Sequence, residues 1–197
     1  MRISKIKKFA PSPNTLFIGT DANTGDTYNF LGSYVSGNAR GDFYNTTLLG
    51  FSATPAIYTI PFNGTNSNFI SGFEIEETFS GEKTGIKALK TGIFQIILTV
   101  NTRSTTAGSL GVWIVKGVNA DVYSDVTATG QRTHSIANSN IINTQIFKWM
   151  LKLTEGDVIQ FRARFNGTQN MNFVPISSDT FNPGSYSVQV IINEVQI

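Results

Sequence analysis

Residues 151–165, LKLTEGDVIQFRARF, decide the fold. Just before and into this stretch, IFKWMLKL (146–153) sets Phe147, Trp149, Leu151 and Leu153 on one side, against Ile146, Lys148, Met150 and Lys152. After it turns, Ile159, Phe161, Ala163 and Phe165 alternate with Gln160, Arg162 and Arg164. A period of two marks a strand with one face in a core, so Gln160, Arg162 and Arg164 are expected to point outward. Between the runs lies Thr154-Glu155-Gly156-Asp157, where glycine accepts a positive φ at no steric cost. A hairpin is therefore predicted, with its acids acting first as turn residues.

The same pattern extends in both directions. GIFQIILTV (92–100) places Phe94, Ile96, Leu98 and Val100 opposite Ile93, Gln95, Ile97 and Thr99, a central strand covered on two sides. GVWIVK (111–116) sets Val112 and Ile114 against Trp113 and Val115. SYSVQVIINEVQI (185–197) puts Tyr186, Val188, Val190 and Ile192 on one face before the apolar set changes sides at Val195 and Ile197. TLFIGTDANTGDTYNFLG (15–32) predicts a hairpin around Ala22-Asn23-Thr24-Gly25, and SYVSGNARGDFYNTT (33–47) predicts an exposed loop. No segment sustains a 3.6-residue period, and Gly or Pro interrupts most long windows. An all-β antiparallel sandwich or barrel follows. Residues 1–48 are expected to form an N-terminal arm and hairpin, and 49–197 the β domain.

Composition narrows the chemistry. A chain of 197 residues can bury a full core. Charged residues are only 14% of it, so Asn, Thr, Ser and Gly carry much of the polar surface. A net charge of +2 offers no bulk field for nucleic acid or an anionic membrane, and neither is expected as a partner. The local exception is Arg2, Lys5, Lys7 and Lys8, with no acid before Asp21; followed by Pro11 and Pro13, they describe an extended anchoring arm. The absence of cysteine excludes disulfides, thiolate metal sites and cysteine nucleophiles. The basic start is followed by FAPSPNTLF rather than an apolar core, so a signal peptide is not predicted, and no apolar run approaches the ~20 residues of a membrane helix. A protein made in the host cytoplasm is expected.

From Phe51 onward the order of signals resembles the tumour-necrosis-factor-like jelly roll, the superfamily that includes the globular heads of the complement first component. The resembling pieces are GFSAT (50–54), IPFN (60–63), GIKALKTGIFQIILTV (85–100), VWIVKG (112–117), WMLKLTEGDVIQF (149–161) and SYSVQVII (185–192). The most specific are the strand at Gly92–Val100 and the Leu-x-x-Gly-Asp-x-Ile pattern at Leu153–Ile159. The resemblance implies a jelly-roll sandwich and a tight homotrimer joined through aromatic and apolar faces. Phe94, Trp113, Trp149 and Phe161 are the candidates for core or trimer interface.

No catalytic constellation stands out. The single histidine, His134, is expected in a polar loop, and no Gly-x-Ser-x-Gly elbow accompanies it. Glu74, Glu76, Glu77 and Glu82 alternate with Phe73 and Ile75 as a solvent-facing strand edge does, although two such carboxylates also suit glycosidase-type acid–base work. Asn119, Asp121 and Asp125 offer oxygens for a calcium ion but lack the spacing of a helix–loop calcium motif. Arg40-Gly41-Asp42 spells an integrin-recognition tripeptide, a pattern short enough to arise by chance. No cofactor is expected.

The expectation is a non-enzymatic structural protein of a virion: a trimeric jelly roll serving a bacteriophage or similar virus as capsid decoration, head fibre or fibre head. Its N-terminal segment would meet other capsid or fibre proteins. The alternative is a carbohydrate- or receptor-binding module of a phage fibre or bacterial surface appendage, contacting a host-surface glycan.

Overall fold

The computed structural model describes residues 16–20, 27–31, 39–51, 56–77, 81–117, 122–135, 138–167, 171–178 and 184–195. Strands β1 (Leu16–Thr20) and β2 (Thr27–Leu31) pair antiparallel, Leu16 opposite Leu31 and Thr20 opposite Thr27, as the predicted hairpin requires. They belong to a unit spanning Met1–Asn38, separate from the unit Ala39–Ile197 that holds the remaining strands. Arg2, Lys5, Lys7 and Lys8 lie outside the described residues.

The second unit begins with β3 (Arg40–Asn45), β4 (Leu49–Phe51), β5 (Tyr58–Thr59), β6 (Gly64–Thr65), β7 (Phe73–Glu77) and β8 (Lys83–Ala88). It continues with β9 (Gly92–Ser104), β10 (Gly108–Gly117), β11 (Tyr123–Asp125), β12 (Gln131–Ser135) and β13 (Asn138–Leu153). Last come β14 (Val158–Gly167), β15 (Met171–Phe173) and β16 (Val188–Glu194). Among the described residues these form two antiparallel seven-stranded sheets. One runs β11–β10–β14–β8–β7, with β12 also on β10 and β5 on β14. The other runs β4–β15–β9–β16–β3–β6, with β13 on the free side of β9. Among the described residues no helix is long and apolar enough to cross a membrane.

The alternating faces meet between the sheets. Phe94, Ile96, Leu98 and Val100 from β9, and Val188, Val190 and Ile192 from β16, are all buried, as are Leu110, Val112 and Ile114 from β10 and Ile159, Phe161, Ala163 and Phe165 from β14. Trp149 of β13 lies 5.9 Å from Phe161 across the sandwich, and Phe73 meets Phe94 edge to face at 5.0 Å. Burying each such side chain contributes ~1.5–3 kcal/mol, which is why the period-two pattern selects a two-layer fold.

Residues 151–165 depart from the expected hairpin in one respect. Strands β13 and β14 do not pair; β13 lies on β9 and β14 on β10, so the predicted hairpin is a crossing from one sheet to the other. Both strands present large apolar faces, and opposing them across the core buries both at once. The turn forms as foreseen: Gly156 has φ +90°, and the Asp157 N–H donates to the Thr154 carbonyl at 2.9 Å. Its acid is structural, since Asp157 Oδ2 accepts from the Thr154 N–H at 2.8 Å and from Lys116 Nζ at 3.0 Å. The corner docks on Ala88 through two 2.8 Å backbone bonds, Gly156 N–H to Ala88 carbonyl and Ala88 N–H to Asp157 carbonyl.

Other expectations change too. The loop predicted at 33–47 contains β3, which pairs with β16 and buries Phe43, so the jelly-roll unit begins at Ala39 rather than near residue 49. Arg40-Gly41-Asp42 is therefore strand, with Asp42 accepting from Gln189 Nε2 at 3.0 Å. Gln160 is buried rather than exposed to solvent, its Nε2 donating to Thr84 Oγ1 at 2.8 Å. Tyr186 turns out of the core to stack on Tyr44, ring centroids 4.1 Å apart, because Ser187 is buried against the Asn45 carbonyl.

Candidate functional site

On β10 the side chains alternate between the core and the outside, so Ser109, Gly111 and Trp113 share the outer face of their sheet. Because β10 pairs with β12 at one end and β14 along its length, Gly111 stands directly opposite both Arg132 and Arg164. Ser109 is likewise opposite His134 and Asn166, and Trp113 is opposite Arg162. Over Gly111 opens a groove of about 690 Å³, lined by Ser109, Trp113, Gln131, Arg132, Arg164 and Asn166, with Ile57, Gly130 and Val112 completing it. A Cβ at Gly111 would meet the Arg164 carbonyl oxygen at 3.8 Å and Arg132 Cγ at 4.0 Å, ordinary van der Waals contacts, so the floor has room for a Cβ.

The polar groups around the groove are unequally engaged. The Trp113 indole N–H donates to Asp125 Oδ1 at 2.9 Å, which fixes the ring at the groove's end. Gln131 Nε2 is committed to the Lys148 carbonyl at 2.6 Å. Ion pairs among the described residues all use lysine, and Arg132 and Arg164 have no carboxylate partner there. Beside Trp113, Arg162 buries its Nε–H without a hydrogen-bond partner. Among the described residues the groove is lined by two arginines and no acid, with Asp125 held on Trp113 at its end.

The residues singled out from sequence are placed as follows. Phe94, Trp149 and Phe161 are core, whereas Trp113 is partly exposed on the groove. His134 sits on strand β12 rather than in a loop, and is exposed. Glu74 and Glu76 lie on edge strand β7, and Lys87 Nζ reaches both, at 3.2 and 3.6 Å. The hydrogen bond with Glu74, with the charge of both carboxylates, holds the Lys87 ammonium above its ordinary pKa. Glu77 pairs with Lys83 at 3.3 Å. Asp125 is occupied with Trp113, while Asn119 and Asp121 lie outside the described residues. Among the described residues no three His, Cys, Asp or Glu side chains gather as metal donors.

Sequence reasoning missed Arg132, Arg164 and Gly111 as one constellation. The alternation of VIQFRARF already sent Arg164 outward; the missing step was that β12 and β14 meet the same strand at the same glycine.

The other sheet has a different exterior. Across it, Ile146, Thr99, Gln189 and Tyr44 form one row, and Lys148, Ile97, Ile191 and Asp42 the next. Ile146 and Met150 are 57% and 56% exposed, and the stacked Tyr44–Tyr186 pair lies at the far end of the first row.

No protein-family model matches the chain, and a search of curated proteins finds no match. Among solved structures it is similar to the Eiger tumour necrosis factor of S. frugiperda, with a TM-score of 0.51 and 12% identity over 81% of this chain and 93% of that one. Murine APRIL at pH 8.5 aligns with a TM-score of 0.47 and 12% identity, over 81% of this chain and all of that one. The Eiger likeness identifies the fold as a jelly roll of the tumour-necrosis-factor type.

Proposed function

We propose that the chain is a non-enzymatic structural protein, a homotrimeric jelly roll on the exterior of a virion, serving a bacteriophage or similar virus as capsid decoration, head fibre or fibre head. The observation that carries the trimer is the outer face of the β9–β16 sheet. Ile146 and Met150 are more than half exposed there, with Ile97 and Ile191 side by side in the adjacent row. Covering an Ile or Met contributes ~1.5–3 kcal/mol per side chain, and closed rotational symmetry lets every copy cover the same patch. The virion setting is supported by the cysteine-free, Asn- and Thr-rich composition and by an N-terminal unit, Met1–Asn38, separate from the jelly roll. That unit, with its basic Arg2, Lys5, Lys7 and Lys8, is the proposed contact with other capsid or fibre proteins.

Sedimentation equilibrium at micromolar concentration is expected to give a species of three 21.5 kDa chains. Ile146→Glu combined with Met150→Glu is expected to give monomers with an unchanged circular dichroism spectrum. A wild-type chain that stays monomeric overturns the trimer. Mass spectrometry of purified particles from the source tests the virion setting, and absence of the chain from them overturns it. A second reading, a carbohydrate- or receptor-binding module of a fibre or surface appendage, is favoured by the arginine-lined groove on the opposite sheet.

A further inference from the structure

We propose that the groove over Gly111 binds a carboxylate-bearing sugar, an inference that deepens the second reading by naming its ligand class. Strands in a sheet lie ~4.8 Å apart, so Arg132 and Arg164 rise ~10 Å from one another on either side of Gly111. A guanidinium is long enough to lean over such a gap from either side. Two arginines without a carboxylate partner among the described residues, flanking a side-chain-free position, leave a place where one anion can accept hydrogen bonds from both. The planar fork of arginine suits a carboxylate, whose two oxygens take paired N–H donors.

The rest of the lining suits a saccharide. Trp113 offers an apolar ring held in place by Asp125, against which the C–H face of a sugar packs. Ser109 and Asn166 bring a hydroxyl and an amide for sugar hydroxyls on the side of the groove away from the tryptophan. The volume of about 690 Å³ falls within the range of small-ligand sites. A nucleic acid strand calls for a longer track of cations and several aromatic platforms. Here two arginines and one tryptophan line a short groove, in a chain of net charge +2.

The test is calorimetric titration of the full chain, in its native assembly, with sialyllactose and trigalacturonate against lactose and maltotriose. One of the two acidic saccharides is expected to bind at least about tenfold tighter than either neutral one, which distinguishes a sialic-type from a uronic-type carboxylate, and to weaken as salt rises. Arg132→Gln and Arg164→Gln, both at exposed positions, are each expected to lower that affinity about tenfold or more. Gly111→Leu fills the groove at a site with room for a Cβ and is expected to abolish binding without shifting the melting temperature.

Binding of an acidic saccharide that survives both Gly111→Leu and the arginine variants overturns the assignment of the site. Neutral saccharides that bind as well, and are lost in Gly111→Leu, overturn the acidic ligand class while keeping the groove as a binding site. No binding of any saccharide at about 10 mM overturns both. Displacement of the acidic saccharide by a short single-stranded DNA assigns the groove to nucleic acid instead and overturns the inference.

Discussion

Glu194 ties the two ends of the jelly roll together. Its Oε2 accepts from the Ala39 N–H at 2.9 Å, its own N–H donates to the Ala39 carbonyl at 2.9 Å, and Lys90 Nζ lies 2.8 Å from Oε1. Burial pushes this carboxyl up, but the hydrogen bonds from Lys90 and Ala39 and the lysine's charge outweigh it and hold the group below its ordinary 4.5. A carboxyl whose pKa is lower folded than unfolded adds stability above the unfolded value and loses it as pH falls through the folded one. Glu194→Gln is therefore expected to cost about 1 kcal/mol near pH 7 and progressively less as pH falls below the unfolded value of 4.5, for example at pH 3. Urea unfolding of both proteins at the two pH values measures the difference; an equal cost at both removes the charge from the account.

Elements of this fold are joined by side chains where no strand ladder is available. Between β12 and β13, Gln131 Nε2 reaches the Lys148 carbonyl at 2.6 Å and Thr133 Oγ1 reaches Gln145 Oε1 at 2.7 Å, and just before β12 the Thr129 carbonyl accepts from the Trp149 indole N–H at 2.6 Å. These bonds close one side of the sandwich, next to a core that Trp149 itself fills. Trp149→Phe leaves a buried carbonyl without its donor as well as a cavity, and is expected to cost about 2–3 kcal/mol. Trp113→Phe, whose indole bonds only the exposed Asp125, is expected to cost less than about 1 kcal/mol. Denaturant midpoints at constant slope decide; equal losses would show that the two tryptophans share one environment.

For the whole molecule, the unit boundary sets which truncations survive. Deleting residues 1–38 removes a separate unit and is expected to leave a folded jelly roll, which on the proposed virion role no longer co-purifies with particles. Deleting 1–48 also strips β3 from β16 and Phe43 from the core, and is expected to unfold the chain or cost more than about 4 kcal/mol. Circular dichroism and thermal melting of the two truncations give the answer. Equal stability would move the boundary back to the one expected from sequence. Full incorporation of the shorter chain would place the anchor on the jelly roll.

What the sequence by itself determined was the long strands of the core and which of their apolar residues face it. Alternation is a local property, and a period of two carried Phe94 to Val100, Val188 to Ile192 and Ile159 to Phe165 to the core without reference to any partner. The turn at Gly156 was equally legible, since only a positive φ was at stake. Pairing is not local. Nothing in LKLTEGDVIQFRARF distinguishes a hairpin from a crossing between sheets, because both present the same inward faces; the strands on either side, β9 and β10, decided it. The strand at Arg40–Asn45 was hidden for a related reason: with Gly, Asp and Asn among six residues, its strand character comes from the ladder β16 provides. The groove belongs to the same class. Arg132, Gly111 and Arg164 are far apart in the chain, and only two ladders meeting at one glycine bring the two arginines, without a carboxylate partner among the described residues, to either side of a side-chain-free position.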